Sequence, residues 1–281
     1  MNTIIFSKNR PWQLQQTLLS IAQFMPKIGD TNIISVLVKS DPEYCQAYGK
    51  LEIQFPLVRF SYERQGFSCW DFFKQQVKYT ADNNLICLMV DDTILIDKPM
   101  INEPALLENP LLIQSLRLSP SINWCQPAHS DSLITSKIRM DGWNILPHAA
   151  VLGNKGDFAY PFDLSASVYS KQFLQNFIFS LECKSNKVHT PKIPNDIEAV
   201  FYTESWILSY ASLLFTDTAV AKVLTINRVQ NQYQNPIDSN KEVSTDSLLE
   251  YFSAGKTLNL EAYRDAKYAS QIHISDIILN D

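Results

Sequence analysis

The stretch LICLMVDDTILI, residues 85–96, decides how this chain folds. Its first six residues are apolar, and two adjacent aspartates, Asp91 and Asp92, follow them directly. A short apolar run that ends in polar residues is typical of a strand buried on both faces of a parallel sheet. Two neighbouring carboxylates are costly inside a protein unless water or a cation neutralises them. The stretch therefore predicts a buried strand that carries the aspartates to a sheet edge, as either a solvated turn or a metal site.

The residues before this strand alternate between strand and helix patterns. Apolar runs predict strands at 3–7, 32–40 and 58–63, and amphipathic patterns predict helices at 12–24, 41–51 and 67–81. This alternation is typical of the α/β class, with a mostly parallel central sheet and right-handed crossovers. Ligands of such sheets bind outside the carboxyl ends of the strands, which is where Asp91 and Asp92 are predicted to lie.

Composition narrows the function classes. The chain has 281 residues, 46% of them hydrophobic, and a formal net charge of −5, which favours a domain with an ample core and gives no sign of nucleic-acid binding. Its five cysteines are scattered, which argues against a disulfide framework and a zinc site. No signal peptide and no apolar run of roughly 20 residues is present, so we expect a cytoplasmic protein. Peripheral attachment to the inner face of a membrane stays open.

A polar loop follows the first predicted strand. In FSKNRPWQL, residues 6–14, Ser7, Asn9 and Arg10 precede a helix that begins near Pro11. Hydrogen-bond donors beside a helix N-terminus suit an anionic ligand, although a solvated loop has the same pattern. Since the carboxyl ends of parallel strands share one edge, we expect this loop near Asp91 and Asp92. The loop contains neither GxGxxG nor GxxxxGK[ST], which excludes the usual dinucleotide and P-loop sites.

Two later segments hold further carboxylates. In KGDFAYPFDLSASVYSK, residues 155–171, Asp157 and Asp163 flank aromatic residues, a pattern that suits either sugar binding or a packed loop. In PNDIEAVFYTESW, residues 194–206, Glu198 and Glu204 are six positions apart and so do not share a helix face. Each of these glutamates is either a solvated side chain or an acid of a site.

The order of these segments resembles a known family. TIIFSKNRPWQLQQTLLSI, the region 61–97 that ends in VDDTILID, and the later blocks YPFDLSASVYSK, IPNDIEAVF, TINRVQNQYQNPI and LLEYFSAGKTLNLEAY together look like bacterial family 2-like glycosyltransferases. The resemblance implies a GT-A fold, a Rossmann-like three-layer α/β/α arrangement with an elaborated C-terminal half. It also implies a nucleotide-diphospho-sugar donor, a glycan or lipid-linked acceptor in polysaccharide biosynthesis, and Mn²⁺ or Mg²⁺ as cofactor.

The resemblance also assigns roles to residues. Ser7, Asn9 and Arg10 would surround the nucleotide, and Asp92 would be the metal ligand that ends a DxD-like motif. Asp91 would fill the middle of that motif, as a second metal ligand or a contact to the donor, whereas Val90 stands where the first acid is usual. The resemblance favours Glu198 as the catalytic base, followed by Glu204, with Asp157 and Asp163 as further candidates.

The same resemblance suggests how the chain is divided. It implies one domain with a nucleotide-binding half at 1–98, an acceptor and catalytic half at 99–235 and a C-terminal helical extension at 236–281. Its oligomeric state cannot be read from the sequence. The alternative is a non-catalytic binding or assembly module with the same fold, which Val90 favours. A nucleotidyltransferase fits less well, because SKNRPWQ lacks the glycines that its phosphate loop needs.

Overall fold

The computed structural model describes residues 1–25, 32–125, 130–135, 137–147, 154–160, 162–183, 191–204, 209–229, 241–265 and 273–280, with only the backbone at 201–204, 265 and 273. Its N-terminal part alternates strand and helix as the sequence predicts. The elements are β1 (Asn2–Lys8), α1 (Pro11–Phe24), β2 (Ile33–Lys39), α2 (Pro42–Gln54), β3 (Arg59–Tyr62), α3 (Cys69–Tyr79) and β4 (Leu85–Val90). The strands β3, β2, β1 and β4 lie side by side in that order, and all three pairings are parallel.

The second part of the chain extends the sheet with a different connectivity. Its strands are β5 (Thr93–Leu95), β6 (Leu112–Ser115), β7 (Trp124–Cys125), β8 (Ser130–Asp131), β9 (Ile138–Met140), β10 (Trp143–Leu146), β11 (Ser167–Ser170), β12 (Ser212–Phe215), β13 (Ala221–Leu224) and β14 (His273–Ile274). Its helices are α4 (Glu103–Glu108), α5 (Lys171–Cys183), α6 (Pro194–Glu204), α7 (Thr245–Ser253) and α8 (Leu260–Asp265).

The large sheet has nine strands in the order β3-β2-β1-β4-β11-β6-β12-β10-β9. The strand β11 runs antiparallel between β4 and β6, whereas β12 is parallel to β6. Smaller sheets are formed by β14-β13-β5 and by β7-β8. The predicted α/β class with a parallel sheet core is confirmed, and each antiparallel strand pair among the described residues includes a strand that follows β4.

Helices cover both faces of the sheet and divide the core in two. On the α1 face, Ile5 and Met89 pack with α1, α2 and α7. On the α3 face, Phe6 and Leu88 pack with α3, α5 and α6. Because successive side chains of a strand point to opposite faces, this division also fixes the direction of the polar residues at the strand ends.

Candidate active site

A cavity of about 650 Å³ opens at the carboxyl ends of the parallel strands. Phe6, Leu37 and Val90 give it an apolar wall on the α3 face of the sheet. Further parts of the wall come from the loop after β1, from residues within 156–160 and 163–165, from the first turns of α6 and from residues within 223–229. The structure thus brings the β1 loop and the aspartate pair together, as the strand order predicts.

Asp91 is only 3% exposed, and the protein uses both of its carboxylate oxygens. Its Oδ2 accepts a hydrogen bond from the backbone N–H of Lys8 at 2.9 Å, and Arg10 Nη1 donates to Oδ1 at 3.2 Å. The hydroxyl of Thr17 in α1 donates to the Asp91 carbonyl at 2.8 Å. Asp91 therefore holds the β1 loop against the end of β4.

Asp92 differs from Asp91 because only one of its carboxylate oxygens accepts a hydrogen bond from the described residues. Arg10 Nη1 donates to Oδ2 at 2.8 Å, whereas Oδ1 is buried and has no hydrogen-bond partner among the described residues. Burial raises the pKa of both neighbouring carboxyl groups, and the charge of Arg10 opposes that rise. An unpartnered carboxylate oxygen is the kind of atom that Mg²⁺ and Mn²⁺ prefer.

The fit to a divalent cation is partial. Within the described ranges, no group of three His, Cys, Asp or Glu residues is placed to hold a metal. Mg²⁺ is commonly held by one or two carboxylates together with phosphate oxygens of a ligand, rather than by a cage of protein atoms. The residues present therefore fit a cation that Asp92 shares with a phosphorylated ligand, with Asp91 close by but already occupied.

Arg10 is the counterion of the aspartate pair. Its side chain is buried, and Nη2 donates to the Asn227 carbonyl at 2.7 Å. Arg10 Nε and both side-chain polar atoms of Asn227 are buried without a hydrogen-bond partner in the described part of the chain. Both residues and Asp92 line the cavity. Since unsatisfied buried polar atoms are rare in native proteins, their concentration here indicates a site for a polar ligand.

Ser7 and Asn9, which the resemblance places around the nucleotide, have their side chains engaged elsewhere. Ser7 lies on the α1 face, where its hydroxyl is 2.7 Å from that of Tyr48. Asn9 adopts a left-handed conformation, with φ of 53°, and its amide donates to Asp41 Oδ2 at 2.6 Å. Both side chains therefore shape the loop.

A second buried cluster is centred on Arg117, which follows β6. Its Nη1 donates to Asp157 Oδ1 at 3.1 Å and its Nε to Asp163 Oδ2 at 3.1 Å. Asp163 also accepts from the Ser167 hydroxyl at 3.0 Å, and Asp157 from the Ser132 hydroxyl at 3.2 Å. Arg117 was not among the residues predicted from the sequence, because a single arginine in an apolar segment forms no motif.

Gly156 sets the approach of this cluster to the cavity wall. Its φ of +61° is in the left-handed region, and a Cβ at this position would overlap the Ser132 hydroxyl and lie 2.8 Å from Cys125 Cβ. Only glycine fits here without strain. The close approach lets Asp157, the next residue, reach Arg117.

Glu198 of α6 is the carboxylate with the environment of a base. Its Oε1 accepts a hydrogen bond from the Leu164 backbone N–H at 2.7 Å, and Oε2 accepts one from the Tyr160 hydroxyl at 3.3 Å. Burial, with a further contribution from the Asp163 charge, raises its pKa to about 7. The residue lines the cavity that also contains Asp92. Glu204 is the last residue of α6, and its side chain lies outside the described part of the structure.

Comparison with known proteins supports the resemblance. No family model matches the sequence. A curated protein, the "Bifunctional glycosyltransferase pgtA" of Dictyostelium discoideum, is 24% identical over 307 aligned residues, which cover 99% of this chain and 39% of that protein. The chain thus spans about two fifths of the length of the curated relative. The resemblance to glycosyltransferases noted from the sequence is confirmed, since the match extends over nearly the whole chain.

Solved structures show partial likenesses. The structure of S. aureus TarS 1-349 in complex with UDP-GlcNAc is 9% identical, covers 95% of this chain and 68% of its own, and gives a TM-score of 0.48. GalNAc-T7 with UDP, GalNAc and Mn²⁺ is 7% identical, with coverages of 77% and 42% and a TM-score of 0.46. Among the described residues, no helix combines the length and apolarity needed to cross a bilayer.

Proposed function

We propose that this chain is a glycosyltransferase that moves a sugar from a nucleotide-diphospho-sugar donor to a hydroxyl group of a glycan or lipid-linked acceptor. One observation carries the proposal. A single cavity is lined by Asp92, Arg10 and Asn227, each of which has a buried side-chain atom without a hydrogen-bond partner among the described residues, and by Glu198, whose pKa is about 7. The match to a glycosyltransferase over 99% of the chain supports the same reaction class.

The aspartate end of the cavity suits the leaving group. When the bond to the sugar breaks, negative charge develops on the nucleoside diphosphate, and groups placed there in advance lower the barrier. Mn²⁺ or Mg²⁺, when bound, would stabilise that charge. Asp92 Oδ1 is the protein atom we assign to the cation. Arg10 keeps Asp92 in place by its 2.8 Å bond to the other oxygen.

The Glu198 end suits the acceptor. A base is most effective when its pKa is close to the working pH, so a carboxylate with a pKa of about 7 can take the proton of an attacking hydroxyl. The Leu164 N–H and the Tyr160 hydroxyl fix its orientation. This role applies to an inverting transfer, in which the acceptor attacks a sugar carbon with oxocarbenium character. Asp157 and Asp163 are already bonded to Arg117, so we assign them to positioning, and Glu204 remains the second candidate base.

A second candidate function is a binding or assembly module without catalysis. Val90 favours it, because this apolar side chain forms part of the cavity wall where the related enzymes usually carry an acid. We prefer the enzyme, since a module that only binds ligands has no need of a carboxyl group with a raised pKa. For the enzyme we propose an acceptor that belongs to cell-surface glycan synthesis, reached from the inner face of a membrane. The resemblance to bacterial enzymes supports this placement.

Calorimetry and a transfer assay test the proposal. Purified protein is titrated with UDP-, GDP- and CMP-linked sugars with and without Mn²⁺, and release of free nucleotide is then followed with the donor that binds. Asp92→Asn should reduce the Mn²⁺-dependent part of donor binding, and Glu198→Gln should lower turnover while donor binding is kept. Asp131→Asn and Glu250→Gln, both at exposed positions, are matched controls. Absence of binding to every donor would rule out the enzyme. Binding without turnover, in the presence of candidate acceptors, would favour the module.

A further inference from the structure

Lys8, at the end of β1, is a lining residue of the cavity that carries a positive charge. It is the last residue of β1, between Ser7 and Asn9. Strand alternation places it on the α3 face with Ile4 and Phe6, whereas Ser7 is on the α1 face. Lys8 and Phe6 both line the cavity. Of the β1 loop side chains, the ammonium group of Lys8 is therefore well placed to meet a ligand.

Lys8 also differs from three other cations of the cavity wall in the partner of its charged group. Three cations of the cavity wall are paired with carboxylates: Arg10 with Asp91 and Asp92, Lys39 with Glu63, and Arg117 with Asp157 and Asp163. Lys8 Nζ instead donates to the Val229 carbonyl oxygen at 2.8 Å, a neutral acceptor. Within the described ranges it has no carboxylate at ion-pair distance.

The ammonium group of Lys8 can exchange its bond to the Val229 carbonyl for a bond to an anion. Nζ carries three N–H donors, and the Val229 carbonyl accepts one of them. A hydrogen bond between two charged groups is roughly twice as strong as one to a neutral group, so an anion within reach would be the preferred partner. Release of Val229 would leave that carbonyl free to accept a hydrogen bond from water.

The neighbouring charges favour a further cation beside a phosphorylated ligand. Asp91, Asp92 and Arg10 together carry a net charge of −1 when both carboxylates are ionised, and Asp92 Oδ1 is buried without a hydrogen-bond partner among the described residues. That combination alone would repel phosphate oxygens. Lys8, whose backbone N–H bonds to Asp91 at 2.9 Å, adds a positive charge next to this cluster.

We propose that Lys8 binds a phosphate oxygen of the donor's diphosphate and exchanges the Val229 carbonyl for it. The inference rests on the proposed function, because it needs a nucleotide in the cavity. It gives Lys8 and Arg10 different roles. Arg10 neutralises the aspartate pair inside the protein, and Lys8 neutralises the ligand.

Calorimetry with a graded set of ligands tests this role. Wild-type protein is first titrated with UDP, GDP, CDP and dTDP in the presence of Mn²⁺. The nucleoside diphosphate that binds is then compared with its monophosphate and its nucleoside, in wild type, Lys8→Met, Lys8→Gln and Lys8→Arg. Lys50→Met, at an exposed lysine of α2, is the matched control. Lys8→Gln retains a donor for the Val229 carbonyl and so separates loss of charge from loss of that contact.

The expected result is selective. Lys8→Met and Lys8→Gln should weaken binding of the diphosphate about tenfold to a hundredfold and leave nucleoside binding unchanged, while Lys8→Arg keeps most of the affinity. Equal affinity of wild type and both neutral variants for the diphosphate overturns the role of Lys8 and leaves the proposed function intact. An equal loss for nucleoside and diphosphate also overturns this role, because the contribution of Lys8 is then not directed at the phosphates. If the wild type binds none of the four diphosphates, the proposed function and this inference are both overturned.

Discussion

Replacing Glu198 with glutamine should raise the stability of the protein above pH 7 while it lowers turnover. In the folded chain the Glu198 carboxyl has a pKa of about 7, against an ordinary value of 4.5. The folded state therefore holds this proton more tightly than the unfolded state. The stability from this group is complete below pH 4.5 and is lost as the pH rises through about 7.

The size of the effect follows from that pKa difference. Each unit of pKa corresponds to 1.36 kcal/mol, so a fully desolvated group would cost the native state about 3 kcal/mol above pH 7. Glu198 is partly exposed, and solvent screening reduces this to about 1–3 kcal/mol. Glutamine carries no charge, retains an acceptor for the Leu164 N–H and removes the cost. Asp91, whose pKa is also raised by burial, is present in both proteins and cancels in the comparison.

Urea unfolding at pH 5 and pH 8 measures the difference. Glu198→Gln should exceed wild type in free energy of unfolding by about 1–3 kcal/mol at pH 8 and by less than about 1 kcal/mol at pH 5. Glu250→Gln should leave the pH dependence of wild type unchanged. In the transfer assay, wild-type kcat/KM should rise with pH through about 7, and the glutamine variant should be about 100- to 10,000-fold slower. Equal stability of variant and wild type at pH 8 would refute the raised pKa, and with it the reason for choosing Glu198 as base.

Two further substitutions test the buried clusters. Arg10→Met leaves Asp91 and Asp92 buried without their counterion and should lower the free energy of unfolding in urea by about 3–5 kcal/mol. The double variant Arg10→Met, Asp91→Asn should regain part of this loss, because it buries one charge fewer. An unchanged midpoint in Arg10→Met would exclude the counterion role. Gly156→Ala should lower the free energy of unfolding by about 2–4 kcal/mol, since it combines a left-handed backbone with a steric overlap. Gly142 also has a left-handed backbone but has open space around it, so Gly142→Ala should lower the free energy of unfolding by only about 1–2 kcal/mol. Equal losses at the two glycines would show that the overlap is relieved by a small shift.

The aspartate pair illustrates what the sequence could predict. The apolar run before Asp91, with strands and helices that alternate upstream, was sufficient to place both aspartates at the carboxyl edge beside Arg10. Strand alternation, counted from Met89 on the α1 face, also assigns Asp91 to that face and directs Lys8, like Phe6, toward the cavity. The alternation along β1 can be read from the sequence. It identifies a residue that faces a ligand only when it is known which face of the sheet borders the cavity.

The Arg117 cluster illustrates what the sequence could not predict. Arg117 bonds to two aspartates that follow it by 40 and 46 positions, and no local pattern relates residues that far apart. Its assembly depends on β11, which enters the sheet antiparallel between β4 and β6. Pairing of strands from distant parts of a chain is a tertiary choice that periodicity does not encode. Glu198 was a candidate by its place in a helix, but its raised pKa depends on the same tertiary contacts.

The position of β11 also has a consequence for how the chain folds during synthesis. Until β11 emerges from the ribosome, β4 has β1 on one side and a row of unpaired backbone groups on the other, in a strand of six apolar residues. Such an open edge invites pairing with other chains. The segment 1–98 on its own would therefore be prone to aggregate, and a nascent chain completes this edge only after about 170 residues. The loop that leads into β11 carries Asp163 and Leu164, so pairing of this edge also positions the groups that bond to Arg117 and, once α6 has been made, to Glu198.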